Sequence, residues 1–128
     1  MTATKILVVE DNPANMKLAV LLLGSAGYQV LQAPDAESGL ALARHELPDL
    51  VLMDVQLPGM DGLSAARRLK ADTATRNIKV LAVTGMAMKG DEEKIRAAGC
   101  DGYLPKPVSR DALLDAVARI VQGGASSR

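Results

Sequence analysis

The sequence predicts a single α/β domain: five parallel strands in a doubly wound sheet, each strand followed by a helix. Three observations predict it. Short apolar runs alternate five times with segments of helical periodicity. The runs are nearly continuous, as in L-V-L-M at 50–53, which suits strands covered by helices on both faces. The connections are a few residues long and imply right-handed βαβ crossovers. With 128 residues, 48% of them hydrophobic, the chain can close one core.

The first strand is 6–9, rich in β-branched residues. Asn12 caps the next helix and Pro13 opens its first turn; Leu18, Leu21 and Leu22 line its inner face and Gly27 stops it. Residues 28–33 form the second strand, with Tyr28 packing at its start. The second helix, 35–45, turns Leu40 and Ala43 inward and ends before Pro48. His45, in its last turn, reads as an exposed residue favoured by the helix dipole. The third strand is 50–53. Asp61 or Gly62 opens a third helix ending near Asp72, on which Arg67, Arg68 and Lys70 read as a solvated basic face.

The fourth strand is 78–83. A helix over 91–98 follows, closed by Gly99; the acids of K-G-D-E-E-K at 89–94 suit its amino-terminal dipole. Its apolar residues Ile95, Ala97 and Ala98 bury little area, so its anchoring is weak. Cys100 reads as a small buried filler. The fifth strand is 102–104. Ser109 caps a last helix with Leu113, Leu114, Val117, Ile120 and Val121 on one face. The folded domain is placed at 1–123 and a short flexible tail at 124–128.

Charge excludes several functions. Fifteen acids balance fifteen bases, so no general attraction for nucleic acid or anionic lipid is expected. Trp and Phe are absent and Tyr occurs twice, which leaves no platform for base stacking. One cysteine cannot form an internal disulfide, and the amino terminus lacks a signal-peptide layout; a cytoplasmic protein is expected. No segment approaches the ~20 apolar residues of a membrane span.

The chemistry lies at the strand ends. Glu10 and Asp11 follow the first strand, Asp54 the third, Thr84 the fourth and Lys106 the fifth. In a parallel sheet these ends share one edge, where doubly wound folds bind ligands. Three carboxylates in one pocket repel one another, and a hard divalent cation relieves this. Mg²⁺ takes about six oxygens, commonly from one or two carboxylates plus waters and phosphoryl groups. Asp11 and Asp54 suit direct coordination and Glu10 contact through a metal-bound water. Asp54 is then a nucleophile beside a cation, with Lys106 supplying positive charge and Thr84 a hydroxyl. Such a set suits phosphoryl transfer, with an acyl phosphate on Asp54 as product.

The motifs V-V-E-D-N, L-M-D-V-Q-L-P-G-M-D-G, A-V-T-G and G-Y-L-P-K-P, in this order and spacing, resemble the receiver domains of two-component response regulators over essentially the whole chain. The string from Thr84 through Tyr103 is most similar to stand-alone, single-domain cell-division regulators and also resembles receivers attached to hybrid kinases. The resemblance implies a flavodoxin-like (βα)5 fold of strand order 2-1-3-4-5 in a cytoplasmic, bacterial phosphorelay protein. It implies that Asp54 accepts phosphate from a histidine kinase or histidine phosphotransfer protein. Mg²⁺, with Mn²⁺ as a substitute, would be held by Asp11, Asp54 and the Gln56 backbone carbonyl, with Glu10 assisting. Lys106 would contact the phosphoryl oxygens, aimed by a cis peptide to Pro107. Thr84 would move to the phosphate and Tyr103 swing inward behind it. The output would be protein–protein contact through the face of the fourth helix, fifth strand and fifth helix, with a downstream protein target. The protein would be a monomer or a weak phosphorylation-dependent dimer, and a signalling switch rather than an enzyme, catalysing only its own phosphoryl transfer and slow autodephosphorylation.

Gly85 after Thr84 departs from a more frequent alanine; Gln56 and Met86 are expected at the crevice mouth, where they could shape water access. Met86 and Met88, in the same loop, read either as packing or as flexible contacts to a partner, with the second favoured. Three alternatives remain at this stage. The chain could be a receiver module of a longer hybrid kinase or effector protein. A haloacid-dehalogenase-type phosphatase would want an acid where Gln56 stands. A nucleotide or flavin module would want glycines where E-D-N-P-A-N stands.

Overall fold

The apolar runs become five parallel strands in a computed structural model that describes residues 3–85 and 89–126. In chain order the elements are β1 (Lys5–Val9), α1 (Pro13–Ser25), β2 (Gln29–Ala33), α2 (Ala36–Glu46), β3 (Leu50–Asp54), α3 (Gly62–Ala71), β4 (Lys79–Thr84), α4 (Lys89–Ala97), β5 (Gly102–Pro105) and α5 (Arg110–Ser126). The sheet order is β2-β1-β3-β4-β5, with every neighbouring pair parallel. This is the flavodoxin-like, doubly wound order, with its reversal between β1 and β3.

Side-chain alternation divides the core into two layers. Leu7, Val9, Val51, Met53 and Val80 pack against Ala36, Ala43, Ala65, Ala66 and Leu69 of α2 and α3. Ile6, Val8, Leu50, Leu52, Leu81 and Val83 pack against Met16 and Leu23 of α1 and Leu113 and Val117 of α5. Every residue of β3 is buried, and each large aliphatic side chain so placed contributes roughly 1.5–3 kcal/mol.

Local chemistry sets the helix ends. The Asn12 side chain accepts from the backbone N–H groups of Ala14 and Asn15 at 2.9 and 3.0 Å, and Pro13 begins α1. Gly27, at φ +97°, turns the chain out of α1. Asp35 and Asp61 cap α2 and α3 by accepting from the N–H of Ser38 and Ser64, at 2.8 and 2.9 Å.

Three expectations need correction. The inner face of α1 is Met16, Ala19, Val20 and Leu23, with Leu22 partly buried, while Leu18 and Leu21 are 51% and 67% exposed. This helix is apolar nearly all round, so leucine spacing does not select its face. On α4, Ile95 is buried and Ala97 exposed, with Ala98 buried just beyond its end. Lys70 is no solvated charge: its ammonium donates to the Ile78 carbonyl at 2.8 Å and to Asp101 at 3.1 Å, fastening α3 to the start of β5. The last helix, α5, is described through Ser126. Residues 127–128 lie outside the described residues, as do Met86 and Met88.

Candidate functional site

The parallel register brings the predicted groups together. Asp54 ends β3 and pairs in register with Val83, one residue before Thr84 at the end of β4. Thr84 pairs with Pro105 of β5, and its carbonyl accepts from the Lys106 N–H at 2.8 Å, which fixes Lys106 just past the sheet edge. Glu10 follows β1, anchored by its N–H to the Ala33 carbonyl at 3.1 Å. The Lys106–Pro107 peptide is cis.

Asp54 is the centre of this arrangement, with only 3% of its surface exposed. One carboxylate oxygen, Oδ1, accepts from the Gln56 N–H at 3.0 Å; the other, Oδ2, accepts from Lys106 Nζ at 3.1 Å. A buried charge needs such partners, because desolvation otherwise outweighs what it gains. Ligand oxygens of Glu10, Asp11 and Asp54 all lie within 4.8 Å of one another. Burial raises the pKa of Glu10; the N–H of Asn12, bonded to its carboxylate at 3.1 Å, opposes the rise, and the neighbouring Asp54 charge adds to it. Three acids facing one lysine leave excess negative charge, and the donor set is hard oxygen, which suits Mg²⁺.

Gly62 supports the site from beneath, a role the sequence leaves unassigned. A β-carbon there would come within 2.2 Å of the Asp54 carbonyl oxygen and 2.8 Å of Val55 Cα, so only glycine fits where α3 starts against the end of β3. Its signal was a glycine directly after the helix cap Asp61.

Sequence reasoning also missed a cleft of about 410 Å³ between α1 and α5 that opens beside the acids. Leu18 and Leu22 of α1, Leu52, Val83, Val108 and Leu113 form its apolar wall, and Glu10, Asn15, Asp54 and Lys106 its polar end. Thr84 is 2% exposed at the end of β4. Tyr103 reaches α4: a hydrogen bond with Glu92 raises its pKa, and Glu92 also pairs with Arg96 at 3.0 Å. The Gln56 Oε1 lies 3.1 Å from where a β-carbon on Gly85 would stand. His45 is exposed at the end of α2, away from the site.

A five-stranded sheet of this order, with an acid cluster and a lysine at its carboxyl edge, defines a receiver domain of two-component signalling. Residues 6–118 match the family model of the response regulator receiver domain, and the chain belongs to that family. It is 45% identical over 112 residues to the polar-differentiation response regulator DivK of Brucella anthropi, covering 88% of this chain and 91% of that protein. DivK of Brucella ovis gives the same figures. Among solved structures, the receiver domain of a Pseudomonas aeruginosa sensor histidine kinase, with a magnesium ion coordinated in its active site cleft, is 36% identical. It superposes with a TM-score of 0.87 over 94% of this chain and 99% of that one. A CheY-like receiver domain from Methanospirillum hungatei, 28% identical, reaches 0.91 over 99% and 100%. Among the described residues, no helix is long and apolar enough to cross a membrane.

Proposed function

We propose that the protein is a cytoplasmic phospho-switch whose Asp54 accepts a phosphoryl group from a phosphohistidine on a histidine kinase or phosphotransfer protein. The observation that carries this is the Asp54 carboxylate itself: buried at the end of β3, bonded to Lys106 and within ligand reach of two further acids. An Asp54 oxygen attacks phosphorus while the bond from phosphorus to the donor imidazole nitrogen breaks; the electron pair stays on the imidazole, which takes up a proton. Lys106 neutralises phosphoryl oxygens and Thr84 donates a hydrogen bond to one of them. Asp11, Asp54 and the Gln56 carbonyl would hold Mg²⁺, with Glu10 acting through water. The ion would supply charge neutralisation at the site.

The apolar cleft beside Leu18 offers the donor protein a footing next to Asp54. A phosphoryl group adds roughly −1.5 to −2 charge and three strong acceptors, so its differential contacts with Thr84 and Lys106 favour a closed β4–α4 loop. Tyr103 then leaves Glu92 and turns inward, and the α4–β5–α5 face engages the downstream target. The likeness to DivK favours a stand-alone regulator over a module of a larger kinase.

Incubation with acetyl phosphate and Mg²⁺ tests the reading. Intact mass should reveal a phosphoryl adduct on the native chain and none on Asp54→Asn. An adduct of equal yield on both chains, or none on the native chain, overturns it.

A further inference from the structure

The cleft between α1 and α5 is one cavity with two chemically different ends. At the polar end stand the Asp54 carboxylate and the Lys106 ammonium, 3.1 Å apart. Beyond them Leu18 and Leu22, four residues apart on one face of α1, form an apolar wall with Val108 and Leu113. Leu52, Val83 and Leu113 are themselves core residues, so the fold sets the shape of this wall. Leu18 is 51% exposed, so apolar surface of the cavity that holds Asp54 stands in water. At roughly 30 Å³ for a water-sized group, the methyl of an acetyl donor fills about a tenth or less of the 410 Å³ present. Lys106 is tied to Asp54 through its ammonium and to the Thr84 carbonyl through its N–H. The place of a phosphoryl head is thereby fixed, and the rest of the cavity is open to a tail.

We propose that this cleft selects the acyl group of a small phosphodonor: the protein takes phosphate from medium-chain acyl phosphates, whose tail lies along Leu18, Leu22 and Val108 while the phosphoryl group meets Asp54 and Lys106. This rests on the phosphoacceptor reading above and names a substrate class for that site. Both ends belong to one cavity of small-molecule size, which is what a single amphipathic donor requires. In the step concerned, an Asp54 oxygen bonds to phosphorus and the bond from phosphorus to the acyl oxygen breaks. That oxygen keeps the electron pair and departs in a carboxylate, so no proton need be supplied. The tail takes no part in the bond change. Its burial stabilises bound donor and transition state alike, which lowers KM and leaves kcat in place. The gain grows with the length of tail removed from water, up to about fourfold in affinity for each methylene.

The test follows adduct formation by intact mass on the full chain with Mg²⁺, over concentration series of acetyl, butanoyl and hexanoyl phosphate. The donor concentration giving half-maximal rate should fall by about two- to fourfold for each added methylene, with the maximal rate unchanged. Leu18→Asn should flatten that dependence. Leu21→Asn, on the same helix, 67% exposed and outside the lining of the cleft, should keep it. A second measurement needs neither metal nor transfer. Hexanol, which has the tail alone, should shift the amide resonances of Leu22 and Val108 saturably in the metal-free chain, and less so in Leu18→Asn. Equal half-maximal concentrations for acetyl and hexanoyl phosphate overturn the proposal, as does the absence of a saturable shift with hexanol. A chain-length dependence that survives in Leu18→Asn, or is lost equally in Leu21→Asn, overturns it too. An adduct from acetyl phosphate with no effect of chain length would leave the cleft to a donor protein and sink the small-donor reading alone. No adduct from any of the three donors would sink the phosphoacceptor reading beneath it.

Discussion

Two small residues show how tightly the site is built. Gly62 lies so close to the Asp54 carbonyl that a single methyl group would force the β3–α3 turn apart. Gly62→Ala should therefore lower stability by roughly 1–3 kcal/mol, read as a lower urea midpoint at unchanged m-value; a native midpoint would show that the turn yields freely. Cys100 tests the opposite corner of the fold. Burial, reinforced by the Asp101 charge and opposed by Lys70 and Arg67, pushes its thiol up to about 11 from 9.0. The folded state thus keeps the proton longer than the unfolded chain. Its stabilising contribution is full below pH 9 and is lost as pH rises towards 11. Thiolate is the reactive form, so alkylation of Cys100 should be slow at pH 8 and accelerate on unfolding. Rapid alkylation of the native protein at pH 8 would contradict this environment. Cys100 was legible as a filler because a lone cysteine between a helix-ending glycine and a strand has few other uses. Lys70 was not legible as a clamp, because its partners Ile78 and Asp101 are brought to it only by the fold.

At the scale of elements, capping residues made the helices readable and apolar pattern alone did not. Asn12, Asp35 and Asp61 each satisfy free N–H groups at a helix start; Asn12 was legible as a cap, whereas Asp35 read as the first residue of its helix and Asp61 as one of two possible openings. The face of α1 was misread because leucine follows leucine around it; the sheet, rather than the periodicity, selects Met16 and Leu23. The Asp35 cap has a pH signature. The backbone N–H and the side chain of Ser38 bond its carboxylate and hold its pKa below the usual 3.8. The folded state thus binds fewer protons there than the unfolded chain. The resulting stability is present above about pH 4 and is lost as pH falls through the folded-state value. Asparagine also caps helices but does not titrate, so Asp35→Asn should keep near-native stability at pH 7 and show a shallower acid limb below about pH 4. Thermal unfolding across that range checks it; an identical acid limb in both proteins would show that Asp35 carries no linkage.

For the whole molecule, convergence of distant residues follows from topology. Once five strands are parallel, Glu10, Asp54, Thr84 and Lys106 must meet at one edge, and they do. Sequence could not reveal the cleft between α1 and α5 or the approach of Gln56 to Gly85, since both depend on how helices and loops seat against the sheet. The same topology suggests where a signal placed on Asp54 travels. Among the described residues between 91 and 98, only Ile95 and Ala98 are buried, so this part of α4 has little apolar anchorage, and it leads into the strand that carries Tyr103. At the opposite edge, β2 is paired with β1 along its whole length and tied to α1 and α2, far from Thr84 and Lys106. Weakly anchored elements open at lower free energy and respond first when a nearby equilibrium is biased. Amide hydrogen exchange with and without acetyl phosphate and Mg²⁺ should therefore change protection in α4 and β5 while leaving β1 and β2 as they were. Equal protection of α4 and β5 in both states would remove the output face. A change spread evenly over all five strands would replace a local switch with global stabilisation of the fold.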